Sequence, residues 1–271
     1  KKSSLYLGTD AVFINNIDAK IDQSWTIGFS AIEQSRFGVD SYGFLEWGDV
    51  HHYVWASPLT DPHNLAWDGN YYDVAHMGFQ HFARTGDLKF LDFAAAHANH
   101  IEDIHQCHFG PANGSTGANR YCPATHHVAG DPNPTWGVDW GSSPHTEVHT
   151  SHHKTQSLYE NYWLTGDPRA LETAVEGTRW LQRFGASMAQ GANLNPPGRR
   201  VSHLLESLCY GYYQSRTAAY FSQMMLTWAA LKGEMRKTSG PVSTDWHRGF
   251  IMEGMSDVYW LLTDLGHPER D

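Results

Sequence analysis

The chain is short of charge, and of positive charge above all. Charged residues fill 18% of its 271 positions, and 19 Lys and Arg face 29 Asp and Glu, for a formal net charge of −10. Disorder needs the opposite composition, with many charges and few large rings, so a packed globular chain is expected. The acidic surplus argues against a nucleic-acid partner, whose phosphates call for a basic face. No apolar run reaches the ~18 residues that a membrane helix requires, so no membrane partner is expected. Lys1–Tyr6 lacks the apolar centre of a signal peptide, although a processed chain would lack it too. Cysteine is scarce as well. Cys107 and Cys122 bracket the loop "HFGPANGSTGANRY". A disulfide closing those roughly 15 residues would contribute about 3 kcal/mol and point to a secreted protein. Reduced thiols fit the spacing equally well.

What the chain has instead is rings. Aromatics make up 13%, with 11 Trp and 13 Tyr, and there are 18 histidines, fifteen of them between His51 and His153. With a reference pKa of about 6.5, most unperturbed imidazoles would be charged near pH ~5.5. The net charge would then approach neutrality, and a histidine-rich site could attract an anion.

One phrase occurs twice. "HFARTGDLKFLDFAAAHANHIEDI" starts at His81 and "NYWLTGDPRALETAVEGTRWLQRF" at Asn161. Gly86 and Gly166 are placed to end one helix in the left-handed conformation, and Asp87 and Asp167 to cap the next. Pro168 suits a first helical turn. Apolar residues recur at helical spacing on both sides. A third pair is expected over Ser202–Gln214 and Thr217–Glu234, a further helix over Thr244–Leu262, and an opening helix around Gln23–Gln34. Repeated helical hairpins give a solenoid or toroid. The expected fold is therefore all-α: antiparallel hairpins forming an incomplete (α/α) toroid, one domain over residues 1–271, whole or as part of a longer multidomain protein. Two long His- and Trp-rich loops, about 36–68 and 106–150, separate the pairs, and loops of that length are often functional.

The densest histidine stretch is "SSPHTEVHTSHHKTQ", residues 142–156. His145 and His149 stand four apart, and His152 and His153 follow three and four later. A helix would set them on one face, as metal ligands or as proton-transfer groups. Pro144 delays the helix start, which leaves surface or capping roles open. In "HANHIEDIHQCH", His97 shares a stripe with Ile101 and Ile104 and is read as core. Asp103, His105 and His108 fall at the helix end, where they could line a cleft. Trp47 and Trp67 offer flat faces to sugar rings, and Asp49, Asp68 and Asp73 offer acceptors to hydroxyls. Core and capping roles serve these residues equally. The loop "YCPATHHVAGDPNPTWGVDWGSSPH" adds His126, His127, Trp136, Asp139 and Trp140. Calcium or zinc is the cofactor weighed, with Cys107, Cys122, His126 and His127 as an irregular zinc set.

Taken in order, "GFLEWGD", "WDGNYYD", "RTGD", "HIEDIH", "THH" and "GSSPHTEVHTSHHKTQSLYENYWLTGDPRAL" resemble the central helical domain of the exo-rhamnogalacturonan lyase-like family over roughly residues 42–185. The chain departs from that pattern in three ways. Tyr71-Tyr72-Asp73 lacks one acidic group, His105 stands where a carboxylate is usual, and the β-domains that flank the family's helical domain have no counterpart.

The resemblance implies β-elimination on an acidic polysaccharide, in a secreted or periplasmic setting. That reaction needs a neutralised uronate carboxylate, a base for the C5 proton and an acid for the leaving oxygen. His145, His149 and His152 are the expected base or neutraliser, and Tyr72 the expected proton donor. Trp47, Asp49, Trp67, Asp73, His105, His108, His126, Trp136, Trp140 and Lys154 are the expected substrate contacts. One rival is a glycoside hydrolase, drawing two carboxylates from Asp49, Asp73, Glu102, Asp103, Asp139 and Glu147. The other is a non-catalytic carbohydrate-binding or assembly unit on a degenerate lyase fold.

Overall fold

A computed structural model describes residues 19–21, 23–24, 50–53, 65–68, 73–106, 108, 116–117, 153–188, 199–237 and 245–270. The Thr-Gly-Asp turns organise it. Helix α1 (Val74–Thr85) stops at Gly86 (φ 72°), whose N–H donates to the Phe82 carbonyl at 2.7 Å. Asp87 then accepts from the Lys89 N–H at 3.1 Å and starts α2 (Leu88–His100). The second copy repeats this. Helix α3 (Gln156–Thr165) stops at Gly166 (φ 80°), and Asp167 accepts from the Arg169 N–H at 2.9 Å at the start of α4 (Pro168–Met188). Only glycine reaches such a φ without a steric penalty.

The third pair dispenses with glycine. Helix α5 (Arg199–Ser215) turns at Arg216, with φ 54°, into α6 (Ala218–Lys237). The Ser215 hydroxyl takes the place of the threonine, bonding back to the Gly211 carbonyl at 2.8 Å as Thr85 does to His81 and Thr165 to Asn161. A last helix, α7 (Asp245–Asp264), ends in a turn at Gly266 and a 3₁₀ segment, Pro268–Arg270. The expected helices over 202–214, 217–234 and 244–262 are thus present, each slightly longer. Of the expected opening helix, residues 23–24 are described and are helical; the remainder lies outside the described residues.

The stretch 36–68 was expected as loop. It carries two strands, β1 (Val50–Tyr53) and β2 (Leu65–Asp68), antiparallel with His51 opposite Trp67. Val50, Tyr53 and Trp67 suit a pleated ladder, which a reading of the stretch as a His- and Trp-rich loop between helix pairs did not foresee. Helix α2 also ends differently from a simple stop: Ile101–His105 continues as a π-turn, with Gln106 N–H donating to the Ile101 carbonyl.

The first helix of each pair touches the next, α1 against α3, α3 against α5 and α5 against α7. The closest approach is at Gly254 of α7. A Cβ there would lie 2.6 Å from Ser202 Oγ and 2.9 Å from its Cα, so only glycine fits. Gly254 N–H donates to that same hydroxyl at 3.0 Å. Leu204, Leu205, Leu208, Met224, Leu231, Val258, Leu261 and Leu262 fill the space among α5, α6 and α7. Each such buried side chain contributes roughly 1.5–3 kcal/mol. Among the described residues, no helix is long and apolar enough to cross a membrane.

Candidate functional site

The seam where α1, α3, α5 and α7 meet is polar, and it was missed by reasoning that followed histidine density. Asp73 caps α1 from a left-handed conformation (φ 50°), which aspartate tolerates, and its Oδ1 accepts from the His76 N–H at 3.2 Å. Its Oδ2 is buried without a hydrogen-bond partner among the described residues. His76 Nδ1 lies 2.9 and 2.8 Å from the two carboxylate oxygens of Glu160, and its Nε2 lies 2.6 Å from the Gln80 amide. Burial works against a charged imidazole here. The Glu160 carboxylate outweighs it and raises the His76 pKa to about 10. Tyr210 of α5 donates its hydroxyl to Glu160 at 3.3 Å.

A second knot lies one helix further on. Glu206 accepts from the Gln156 amide at 2.7 Å and the Ser202 hydroxyl at 2.6 Å, and His203 Nδ1 is 3.1 Å away. Burial would raise the Glu206 pKa, but His203, then Lys154, overcome it and bring it down to about 2. Lys154 is 2% exposed, with Nζ 3.7 Å from Glu253 Oε2. Burial disfavours its charge; Glu206, Glu253, Asp73 and Asp257 outweigh burial and raise its pKa.

These groups frame a cavity of about 320 Å³ lined by Asp73, His76, Met77, Gln80, Glu253, Ser256 and Asp257. Glu253 and Asp257 stand four apart on α7, so they share a face. Burial, then the charge of Glu206, raises both carboxyls, Asp257 to about 8. At neutral pH Asp257 is therefore a carboxylic acid, able to donate a hydrogen bond. Asp257 also lines a second cavity of about 390 Å³ with Trp163, Tyr210, Tyr213, Trp260 and Asp264. The two cavities share Asp257 and so adjoin one another, one lined by carboxyl groups and the other by rings.

Three of the expected site residues have described side chains. Asp73 lines the first cavity. Lys154 lies behind its wall, against Glu253, so its charge reaches the cavity through a carboxyl partner. His108 binds Glu176 at 3.0 Å and the Glu102 carbonyl at 2.5 Å, and lines neither cavity. Asp103 and Glu102 pair with Arg169. Burial raises Glu102 to about 7, but it too lines neither cavity. His97 is core, as its stripe indicated, with its ring 4.4 Å from that of Phe93. His105 belongs to the π-turn and Trp67 to β2, and their side chains lie outside the described residues. Trp47, Asp49, Tyr72, His126, Trp136, Trp140, His145, His149 and His152 lie outside them altogether, as do Cys107, Cys122, Asp139 and Glu147. Cys209 is a buried free thiol. Among the described residues, no group of three or more His, Cys, Asp or Glu is arranged to hold a metal ion.

The signal that would have found the seam is the register of the repeat. Counting nine back from Thr85, Thr165 and Ser215 gives His76, Gln156 and Glu206; counting five back gives Gln80, Glu160 and Tyr210. Polar groups recur at the same two positions of three successive hairpins, and the first of the two is buried in all three, where a core helix would carry aliphatic residues. Comparison with known proteins adds no neighbour: no family model, no curated protein and no solved structure matches the chain.

Proposed function

We propose that this chain cleaves an acidic, rhamnogalacturonan-like polysaccharide by β-elimination in the groove formed by the two cavities. The observation that carries the reading is the pairing of one neutral carboxyl, that of Asp257, with a fixed cation, His76, on the walls of one cavity. Asp257 keeps its proton up to about pH 8 and His76 up to about pH 10. Elimination requires that the charge of the uronate carboxylate be neutralised, because more negative charge builds on it as the C5 proton departs. An ionised carboxylate in the wall would repel that group. A protonated one donates a hydrogen bond to the growing anion, as buried carboxylic acids do elsewhere. His76, pinned by Glu160, adds positive charge that needs no reorganisation during the reaction.

The roles assigned from sequence complete the proposal. His145, His149 or His152 takes the C5 proton. Tyr72, the neighbour of the cavity residue Asp73, protonates the leaving oxygen. Trp47, Asp49, Trp67, His105, His126, Trp136 and Trp140 hold the chain of sugars. A polysaccharide substrate of this kind places the protein outside the cytoplasm, secreted or periplasmic. Calcium or zinc, if used, would sit among the histidines of 126–152.

The test is the product. Elimination leaves an unsaturated uronate that absorbs in the ultraviolet; hydrolysis leaves a reducing end without that absorbance. Rhamnogalacturonan incubated with the chain is expected to give the ultraviolet rise. Asp257→Ala, which removes that donor, should slow it by roughly 10²–10³-fold. Because the protonated form acts, the wild-type rate should fall as pH rises through about 8. Reducing ends without ultraviolet absorbance would instead establish the second reading, hydrolysis, with Asp257 as acid and Glu253 or Asp73 as base. The shared cavity of those three carboxyl groups is what favours it. Binding with neither product would leave a carbohydrate-binding unit.

A further inference from the structure

We infer that the ring-lined cavity is a separate sugar subsite that takes an uncharged pyranose flat against Trp163. The inference rests on the carbohydrate reading above and names the unit that lies beside the acidic one. Trp163 is 44% exposed, yet it is held still. Its ring lies 5.6 Å from that of Tyr210 at an interplanar angle of 15°, and 6.0 Å from that of Tyr159 at 29°. Its indole N–H donates to Gln214 Oε1 at 2.6 Å, which fixes the ring about its remaining torsion. A lone exposed tryptophan is ordinary. One stacked on a buried tyrosine, tied by its N–H and opening onto a cavity of about 390 Å³ is a platform. That volume falls in the range of roughly 300–1,000 Å³ typical of small-ligand sites.

Charge selects the occupant. The π-faces of Trp163 and Trp260 carry partial negative charge and attract the polarised C–H bonds of a sugar face. The rim carries Asp257 and Asp264, with Asp264 accepting from the Tyr213 hydroxyl at 2.8 Å. Among the described residues, no cationic side chain lines this cavity. Hydroxyl groups suit such a rim and a uronate carboxylate does not. Since Asp257 belongs to both cavities, sugars in the two are consecutive units of one chain, and the bond joining them lies at Asp257.

Calorimetric titration of the full chain separates the possibilities. Rhamnogalacturonan oligosaccharides alternate neutral and acidic units; polygalacturonate oligomers are acidic throughout. The first are expected to bind at least tenfold more tightly than the second. Trp163→Ala should weaken that binding about tenfold, the equivalent of ~1.4 kcal/mol. Trp163→Phe should recover part of the loss, and Gln214→Ala, which frees the indole but keeps it, should fall between. If Trp163→Ala does not fold, Gln214→Ala and Trp163→Phe carry the same comparison. Equal binding of both polymers, unchanged affinity in the variants, or no heat with either polymer would overturn the subsite. Tight binding with no bond cleavage would sink the lyase reading and leave the subsite standing. Cleavage by Trp163→Ala with an unchanged KM would do the reverse.

Discussion

His76 and His153 are both enclosed by protein, and they are driven to opposite protonation states. His76 meets the two oxygens of Glu160, and its pKa rises to about 10. His153 packs its ring 5.3 Å from that of Trp180, with no carboxylate against it among the described residues. Burial, helped by the charge of His203, lowers its pKa to about 3. Desolvation is the largest influence on both, so depth alone does not decide the state of a buried imidazole. The carboxylate partner decides it. The fold therefore holds a charged imidazole on the cavity wall at neutral pH and a neutral one against α4, where it lines neither cavity.

Removing the partner should erase the contrast, and this is the largest effect expected. Glu160→Gln keeps the shape but takes away the charge. Breaking a buried ion pair from one side typically costs about 3–5 kcal/mol. His76 can shed its proton in response, so a loss of about 3 kcal/mol at pH 7 is expected in denaturant melts. The sign with pH follows from the raised pKa. The pair's stabilisation is complete below about 6.5 and is lost as pH rises through about 10. The variant should lack that slope, and its His76 resonances should titrate below 6.5, as His153 does. Titration of His76 still near 10 in the variant would mean that Glu160 is not the controlling charge.

The difference between the two histidines was only partly legible in the sequence. Local grammar was readable: Gly86, Gly166, Asp87 and Asp167 each do what their turn chemistry demands, because those effects act within four residues. Arg216 was not readable as a left-handed residue, since the Ser215 and Thr217 hydroxyls that support its turn give a weak signal. The core role of His97 followed from its stripe. The seam did not, because His76 and Glu160 are 84 positions apart and meet only when α1 lies against α3. Histidine density pointed instead to 142–156, where the chain is rich in imidazole for reasons that concern residues outside those described. Lys154 lies inside that stretch and was expected as a substrate contact; the carboxylates that draw it inward come from α5 and α7.

A carboxyl group offers the mirror image of the histidine contrast, and a smaller effect. Asp257 is buried among carboxylates, and its pKa rises from 3.8 to about 8. Glu206, buried more deeply but next to His203 and Lys154, falls to about 2. The neutral Asp257 is at its most favourable below about 3.8, and that advantage disappears as pH rises through about 8. Asp257→Asn cannot ionise. Its melting temperature should match the wild type below about pH 3.8 and exceed it by a gap that widens as pH rises to about 8 and then stays level. A gap of constant size would show that Asp257 is already ionised at neutral pH, and the proton donor of the groove would have to be sought elsewhere.

His153 gives the smallest and sharpest test. With a folded pKa lowered from 6.5 to about 3, it contributes stability that is complete above 6.5 and is lost as pH falls toward 3. Glu206 also loses stability in acid, but only below its ordinary 4.5 and on toward about 2. The interval between pH 6 and 5 therefore belongs to His153 and not to Glu206. His153→Gln should cost about 1 kcal/mol or less at pH 7.5, where the ring is neutral in both states. Between pH 6 and 5 the wild type should lose stability faster than the variant does. Parallel melting curves across that interval would place a charged partner beside His153, and the rule that the neighbouring carboxylate sets the state of a buried imidazole would lose its control case.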